Sequence, residues 1–116
     1  MPTKSLEQLN VFKISKQLNR DAYPVISQIR DFSYRDQLTR SCLSVPSNIA
    51  EGYGRLTKPA FRLFLTYSLG SLYEFQCQVE LARDNGLLKA TQSGSLMEIC
   101  DELTPQLMAL IQSYNP

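Results

Sequence analysis

Between Thr57 and Asn85 the residues Phe61, Leu65, Ser68, Leu72, Phe75, Val79 and Ala82 recur by alternating fours and threes, and all but Ser68 are apolar. This spacing keeps a single stripe on one side of an α-helix for about three heptads, whereas in a strand it would scatter over both faces. Thr57 supplies a capping hydroxyl and Pro59 an early-turn proline at one end, and Asn85-Gly86 is a stop at the other. A helix over residues 58–85 would be about 40 Å long at roughly 1.5 Å per residue. A helix of that length with one apolar stripe needs partners along its whole length.

Three more stretches carry the same rhythm. Ser5 and Gln8 have capping-box spacing, and Val11, Leu18, Ala22, Val25 and Ile29 follow, predicting a first helix from about Leu9 to Arg30 with a kink near Arg20 imposed by Pro24. Ser33 with Asp36 reads as the next cap, before Leu38, Cys42, Val45 and Ile49; this helix, bent by Pro46, is expected to end near Gly52. Gly52-Tyr53-Gly54 then reads as the turn that reverses the chain. Leu96, Cys100, Leu103, Leu107, Leu110 and Tyr114 predict a last helix, bent by Pro105. No stretch alternates as a strand does. Four helices joined by short loops predict an all-α fold, an antiparallel up-down-up-down four-helix bundle with left-handed packing near about +20°, in one domain over residues 1–116.

The composition excludes much chemistry. The chain has no histidine, which removes Ser–His and Cys–His pairs and zinc sites with imidazole ligands; Cys42, Cys77 and Cys100 form no CxxC. No metal and no cofactor are expected. The longest apolar run is Leu107–Ile111, against about 20 residues for a membrane span, so no membrane association and a cytoplasmic location are expected. Charge is divided: residues 1–62 carry ten Lys/Arg against five Asp/Glu, residues 63–116 two against six. Such a split points either to an anionic partner for one side or to the two halves pairing.

Asp36-Gln37 and Arg40, then Ser44, Ser47-Asn48-Ile49-Ala50-Glu51-Gly52 with Gly54-Arg55, then Phe61, Phe64-Leu65, Gly70-Ser71-Leu72, Glu74 and Leu81-Ala82, resemble the four-helix proteins encoded in 23S ribosomal RNA intervening sequences. The similarity covers nearly the whole length. It implies a homopentamer of antiparallel bundles. It also implies kinship with the accessory variability proteins of diversity-generating retroelements, basic pentamers that bind nucleic acid and a reverse transcriptase. This chain differs from those in being nearly neutral.

Three sets of residues are candidates for function. In an up-down-up-down bundle Lys4, Lys13, Arg55, Lys58 and Arg62 collect at one end, beside the free N–H groups expected at the start of the third helix, a setting for RNA or DNA backbone. Tyr53 could stack on a base there or cap the core. Arg40, Glu51 and Glu74 read as an acid–base pair with a clamp or, together with Asn48, as a structural network joining the second helix to the third or to a neighbouring subunit; with no nucleophile or metal, the structural reading is preferred. Beside them Gln37, Ser41 and Ser44 extend a polar stripe whose small hydroxyls point to a close helix–helix approach. Thr66, Gly70, Tyr73 and Cys77 are candidates for a heterologous, ring-closing interface, and Gly70 is expected to face a closely approaching backbone. The reading is of a non-enzymatic oligomeric scaffold with a basic end for nucleic acid; the alternative is a protein-interaction module that binds none.

Overall fold

Each apolar rhythm folds as a helix. A computed structural model describes residues 2–115 and forms α1 (Asn10–Ser27), α2 (Phe32–Gly54), α3 (Lys58–Asp84) and α4 (Ala90–Ser113), with one 3-10 turn, Leu6–Gln8, ahead of α1. The described residues contain no strand. Phe61, Leu65, Leu72, Phe75 and Val79 of α3 are fully buried, as are Leu18, Leu38, Ile49, Leu96, Leu103 and Leu107 from the other three helices. Each such side chain contributes about 1.5–3 kcal/mol relative to remaining in water. Val25, Leu110 and Tyr114 lie at the margin of this core and are half-buried.

The helices pack in a closed cycle, α1 on α2, α2 on α3, α3 on α4 and α4 on α1. Across the α2–α3 pair, Ser41 meets Gln78, Ser44 meets Ser71, Val45 meets Ser68 and Gly52 meets Phe64, so positions descend in one helix as they ascend in the other. Asn19 with Cys42, then Ile29 with Arg35, give the same antiparallel order for α1 and α2. Phe61 with Tyr114, then Gln76 with Thr104, give it for α3 and α4.

Pro24, Pro46 and Pro105 all lie inside continuous helices. Each removes a backbone hydrogen bond, yet buried residues stand on both sides of it, Ala22 and Ile26, Val45 and Ile49, Leu103 and Leu107. Packing on either side keeps each helix one element.

Two local expectations are corrected, and Gly70 finds no close neighbour within the chain. The cap of α2 is Asp31, whose side chain accepts from the Tyr34 N–H at 3.1 Å; Ser33 lies inside the first turn. A carboxylate there also faces the positive end of the helix dipole. The chain does not reverse at Gly52-Tyr53-Gly54. Both glycines are helical, and the turn is made by Arg55-Leu56-Thr57, with Leu56 in the left-handed region at φ 68°. Gly52 is needed for packing instead: a Cβ there would sit 2.6 Å from the Phe64 Cβ and 3.2 Å from Phe61 Cδ1. Finally, nothing within the chain comes within 4 Å of a Cβ built on Gly70, which is exposed. The stop at Asn85-Gly86 does form: Leu87 N–H donates to Ala82 O at 2.8 Å and Gly86 N–H to Arg83 O at 2.9 Å, with Gly86 at φ +75°.

The three cysteines are free; Cys42 and Cys100 are buried and Cys77 is exposed. Burial pushes the Cys42 thiol up to about 11 against the opposing hydrogen bond from Asn19, and burial pushes Cys100 up to about 12, aided by Cys42 and Asp101. The folded state therefore retains both thiol protons, while the unfolded chain releases them above about pH 9. Their contribution to stability is complete below that pH and is lost on rising toward 11–12.

Four outcomes are expected. Gly52→Ala lowers unfolding free energy by about 1–3 kcal/mol through overpacking, whereas Leu56→Gly is neutral or stabilising by up to about 1 kcal/mol because it relieves a left-handed leucine; chemical denaturation measures both. In the folded protein Cys42 and Cys100 are inert to a thiol-titrating reagent at pH 8 and react once denaturant is added. A Cys42→Ala/Cys100→Ala variant loses less stability than wild type between pH 9 and 11, as followed by circular dichroism.

Candidate interaction surfaces

The end of the bundle at the α2–α3 turn is assembled from three parts of the chain. Tyr53 O–H donates to the Lys4 carbonyl at 2.9 Å, tying the N-terminal segment to α2. Its ring stands edge-on to Phe61 with centroids 6.1 Å apart, and Phe61 packs edge-on to Tyr114 of α4 at 5.4 Å. Of its two readings Tyr53 thus takes the one that caps the core, with its hydroxyl engaged and its ring half-buried.

The basic residues of this end are not equivalent. Arg55 pairs with Glu51 at 3.1 Å, one turn back on α2, and lies over the Phe64 ring at 4.9 Å from its centroid. The pair is half exposed and of the class that contributes at most about 1 kcal/mol. Arg62 donates through Nη2 to the Asn115 side chain. Its Nε is buried without a partner, beside a cleft of about 620 Å³ lined by Lys58, Pro59, Arg62, Ser113, Tyr114 and Asn115. Lys4, Lys13 and Lys58 are exposed, and among the described residues none is in an ion pair.

The start of α3 offers less to an anion than an ordinary helix start. Thr57 Oγ1 accepts the Ala60 N–H at 3.4 Å, Thr57 O accepts the Phe61 N–H at 2.9 Å, and Pro59 has no N–H to give. Only the Lys58 N–H is left, so anion affinity at this end rests on side chains.

Arg40, Asn48, Glu51 and Glu74 do not form the expected network within the chain. Arg40 pairs with Asp36 at 3.0 Å, Asn48 Nδ2 donates to Ser44 O and Oγ at 2.9 and 2.8 Å, Glu51 turns to Arg55, and Glu74 is exposed with no partner among the described residues. The helices are locked by shorter groups. Ser41 Oγ donates to Gln78 Oε1 at 2.6 Å, the Ser44 and Ser71 hydroxyls share a bond of 2.8 Å, and buried Ser68 donates to the Val45 carbonyl at 2.8 Å. Long charged side chains cannot enter so narrow a seam; small hydroxyls can. No cluster of three or more His, Cys, Asp or Glu that could hold a metal ion occurs among the described residues.

Thr66, Gly70, Tyr73 and Cys77 are all exposed on α3, on the side away from its buried stripe. Leu63 and Tyr67, about half exposed at 48% and 50%, and Leu81 at 46%, continue this face. These three residues were not among the candidates, although their spacing from Gly70 by threes and fours is visible in the sequence. A second feature has no sequence signal. Between α1 and α2 runs a groove of about 430 Å³ with Ile26 and Cys42 at its floor and Tyr23, Phe32, Arg35 and Leu43 among its walls. Tyr23 and Phe32 are 71% and 67% exposed, so the apolar rim faces solvent.

The fold recurs in a solved structure. A crystal structure of a protein of unknown function from the S23 ribosomal protein family of Bacteroides thetaiotaomicron VPI-5482 superposes with a TM-score of 0.80 at 21% sequence identity, over 87% of this chain and 97% of that one. At this identity the likeness concerns the fold. No curated protein matches the chain in sequence. No helix among the described residues is long and apolar enough to cross a membrane. The family model for 23S rRNA-intervening sequence protein matches residues 7–109, nearly the whole bundle, and the chain belongs to that family.

Proposed function

We propose that this protein is a non-enzymatic, self-assembling scaffold that presents the basic end of its bundle to the backbone of RNA or DNA. The observation that carries the self-assembly is that α3 is apolar on two faces. Phe61, Leu65, Leu72, Phe75 and Val79 fill the core, while Leu63, Tyr67, Tyr73 and Leu81 lie on the outside with Gly70 among them. A helix apolar on both sides is ordinarily covered on both sides. Copies of the same chain are the proposed cover, in the ring of five that the family resemblance implies. Three free cysteines fit a reducing compartment, and we place the protein in the cytoplasm.

Nucleic-acid contact is supported by the exposed Lys4 and Lys58 and by the half-buried Arg62, which lines the same cleft as Lys58. A ring multiplies weak phosphate contacts. A module that binds another protein through the outer face of α3 is the second reading, and the same face favours it if the chain does not bind itself.

Light scattering at tens of micromolar decides between the two: an oligomer is expected for wild type and a folded monomer for Gly70→Leu, and a monomeric wild type sinks self-assembly. Cys77 reports the same event, its reactivity toward a thiol reagent falling as protein concentration rises. For nucleic acid, fluorescence anisotropy at low salt is expected to show binding by wild type that weakens steeply with added salt, and roughly tenfold or greater loss in Lys4→Glu/Lys58→Glu. Absence of binding by wild type rejects that half of the proposal.

A further inference from the structure

We infer that the outer face of α3 in one copy seats in the groove between α1 and α2 of the next, so that assembly is head-to-tail. The inference rests on the self-assembly proposed above and specifies its two surfaces. A heterologous contact requires two different, complementary patches on one molecule. The chain has two, and they lie on different helices. One is a ridge, the exposed strip of α3 through Leu63, Tyr67, Gly70, Tyr73 and Leu81, where nothing in the chain covers Gly70 and a second backbone can approach. The other is the α1–α2 groove, with its apolar floor and its exposed Tyr23, Phe32 and Leu43.

Charge selects this pairing over ridge against ridge. From Leu63 to Ala82 α3 has no basic residue and two acidic ones, Glu74 and Glu80, both exposed. From Lys13 to Arg40 the segment that builds the groove has six basic residues against three acidic. Arg35 and Asp36 both line the groove, Arg40 pairs with Asp36, and Lys16 and Arg20 stand one turn from Asn19 and Tyr23 on α1, so the groove and its margin hold four cations against one anion. Ridge on ridge would bring acidic faces together with no cation between them, whereas ridge in groove brings Glu74 and Glu80 to a surface of net positive charge. The division of charge between the two halves of the chain is thereby used between copies.

Complementation tests this directly. Gly70→Arg spoils the ridge and leaves the groove; Leu43→Arg spoils the groove and leaves the ridge. Both positions are exposed, so each variant is expected to keep wild-type helical circular dichroism and to run as a monomer by light scattering. Mixed in equal amounts, they are expected to form a 1:1 dimer and nothing larger, since only one intact ridge and one intact groove then meet. Should either arginine variant lose its helical signal, Thr66→Arg and Thr39→Arg, also at exposed positions, replace them with the same expectations. A Leu43→Arg protein that assembles like wild type, or a mixture of folded variants that stays monomeric, overturns the head-to-tail arrangement while leaving self-assembly intact. A wild type that is itself monomeric overturns both.

Discussion

The close approach of α2 to α3 is the contact on which the rest of the bundle depends. Its seam is made of serines and a glycine where a helix interface more often has leucines. Ser44 and Ser71 bond each other, Ser41 reaches Gln78, and Ser68 is buried against the Val45 carbonyl. Each hydroxyl is small enough to let the backbones near one another, and each finds a partner, so none of these seam hydroxyls is stranded. At the closed end Gly52 leaves room for Phe64. With the helices this near, a turn of three residues suffices to join them, even though Leu56 must then adopt a left-handed conformation. The two remaining helices lie against this pair, and aliphatic side chains fill the space between.

The same economy shapes the surfaces. Because α3 gives one face to the seam and core, its opposite face is free to carry leucine and tyrosine without disturbing the fold, and between Leu63 and Ala82 its only charges are Glu74 and Glu80. The acidic half of the chain and the basic half occupy different sides of the molecule, which suits an assembly built by repeating one contact. The basic end is electrostatically weaker than the number of its cations implies. Glu51 occupies Arg55, Asn115 occupies one nitrogen of Arg62, and Thr57 with Pro59 removes most of the backbone donors at the start of α3. Binding to phosphate there would rest on a few exposed lysines and one guanidinium edge repeated around an oligomer, and would be sensitive to salt.

Legibility in the sequence followed the range of the interaction concerned. Seam residues such as Leu65, Leu72 and Phe75 were readable because their spacing is local, and so were the α3 cap at Thr57 and the stop at Gly86, which depend on side chains within a few residues. The cap of α2 was misplaced because Asp31 and Ser33 are equally good local candidates; Asp31 prevails where Arg35 reaches back to the Ile29 carbonyl and anchors the connection. The polar stripe of α2 meets α3 at Ser41 and Ser44, whereas Asn48 and Glu51 bond along α2 itself, since the seam narrows toward Gly52 and only small groups fit.

The periodicity of apolar residues, a property of neighbours three and four apart, by itself determined four helices, their approximate ends and the all-α class, and the family motif around Asn48 to Arg55 is equally local. That Gly52 packs while Leu56 turns the chain, whether Tyr53 points at solvent or closes the core, and that a groove opens between α1 and α2 were decided only in three dimensions. Each of these depends on atoms that are distant in the chain, Phe64 over Gly52, the Lys4 carbonyl beside Tyr53, and Phe32 and Leu43 across from Tyr23. Such distances are set by how helices pack, and no spacing within one helix encodes them.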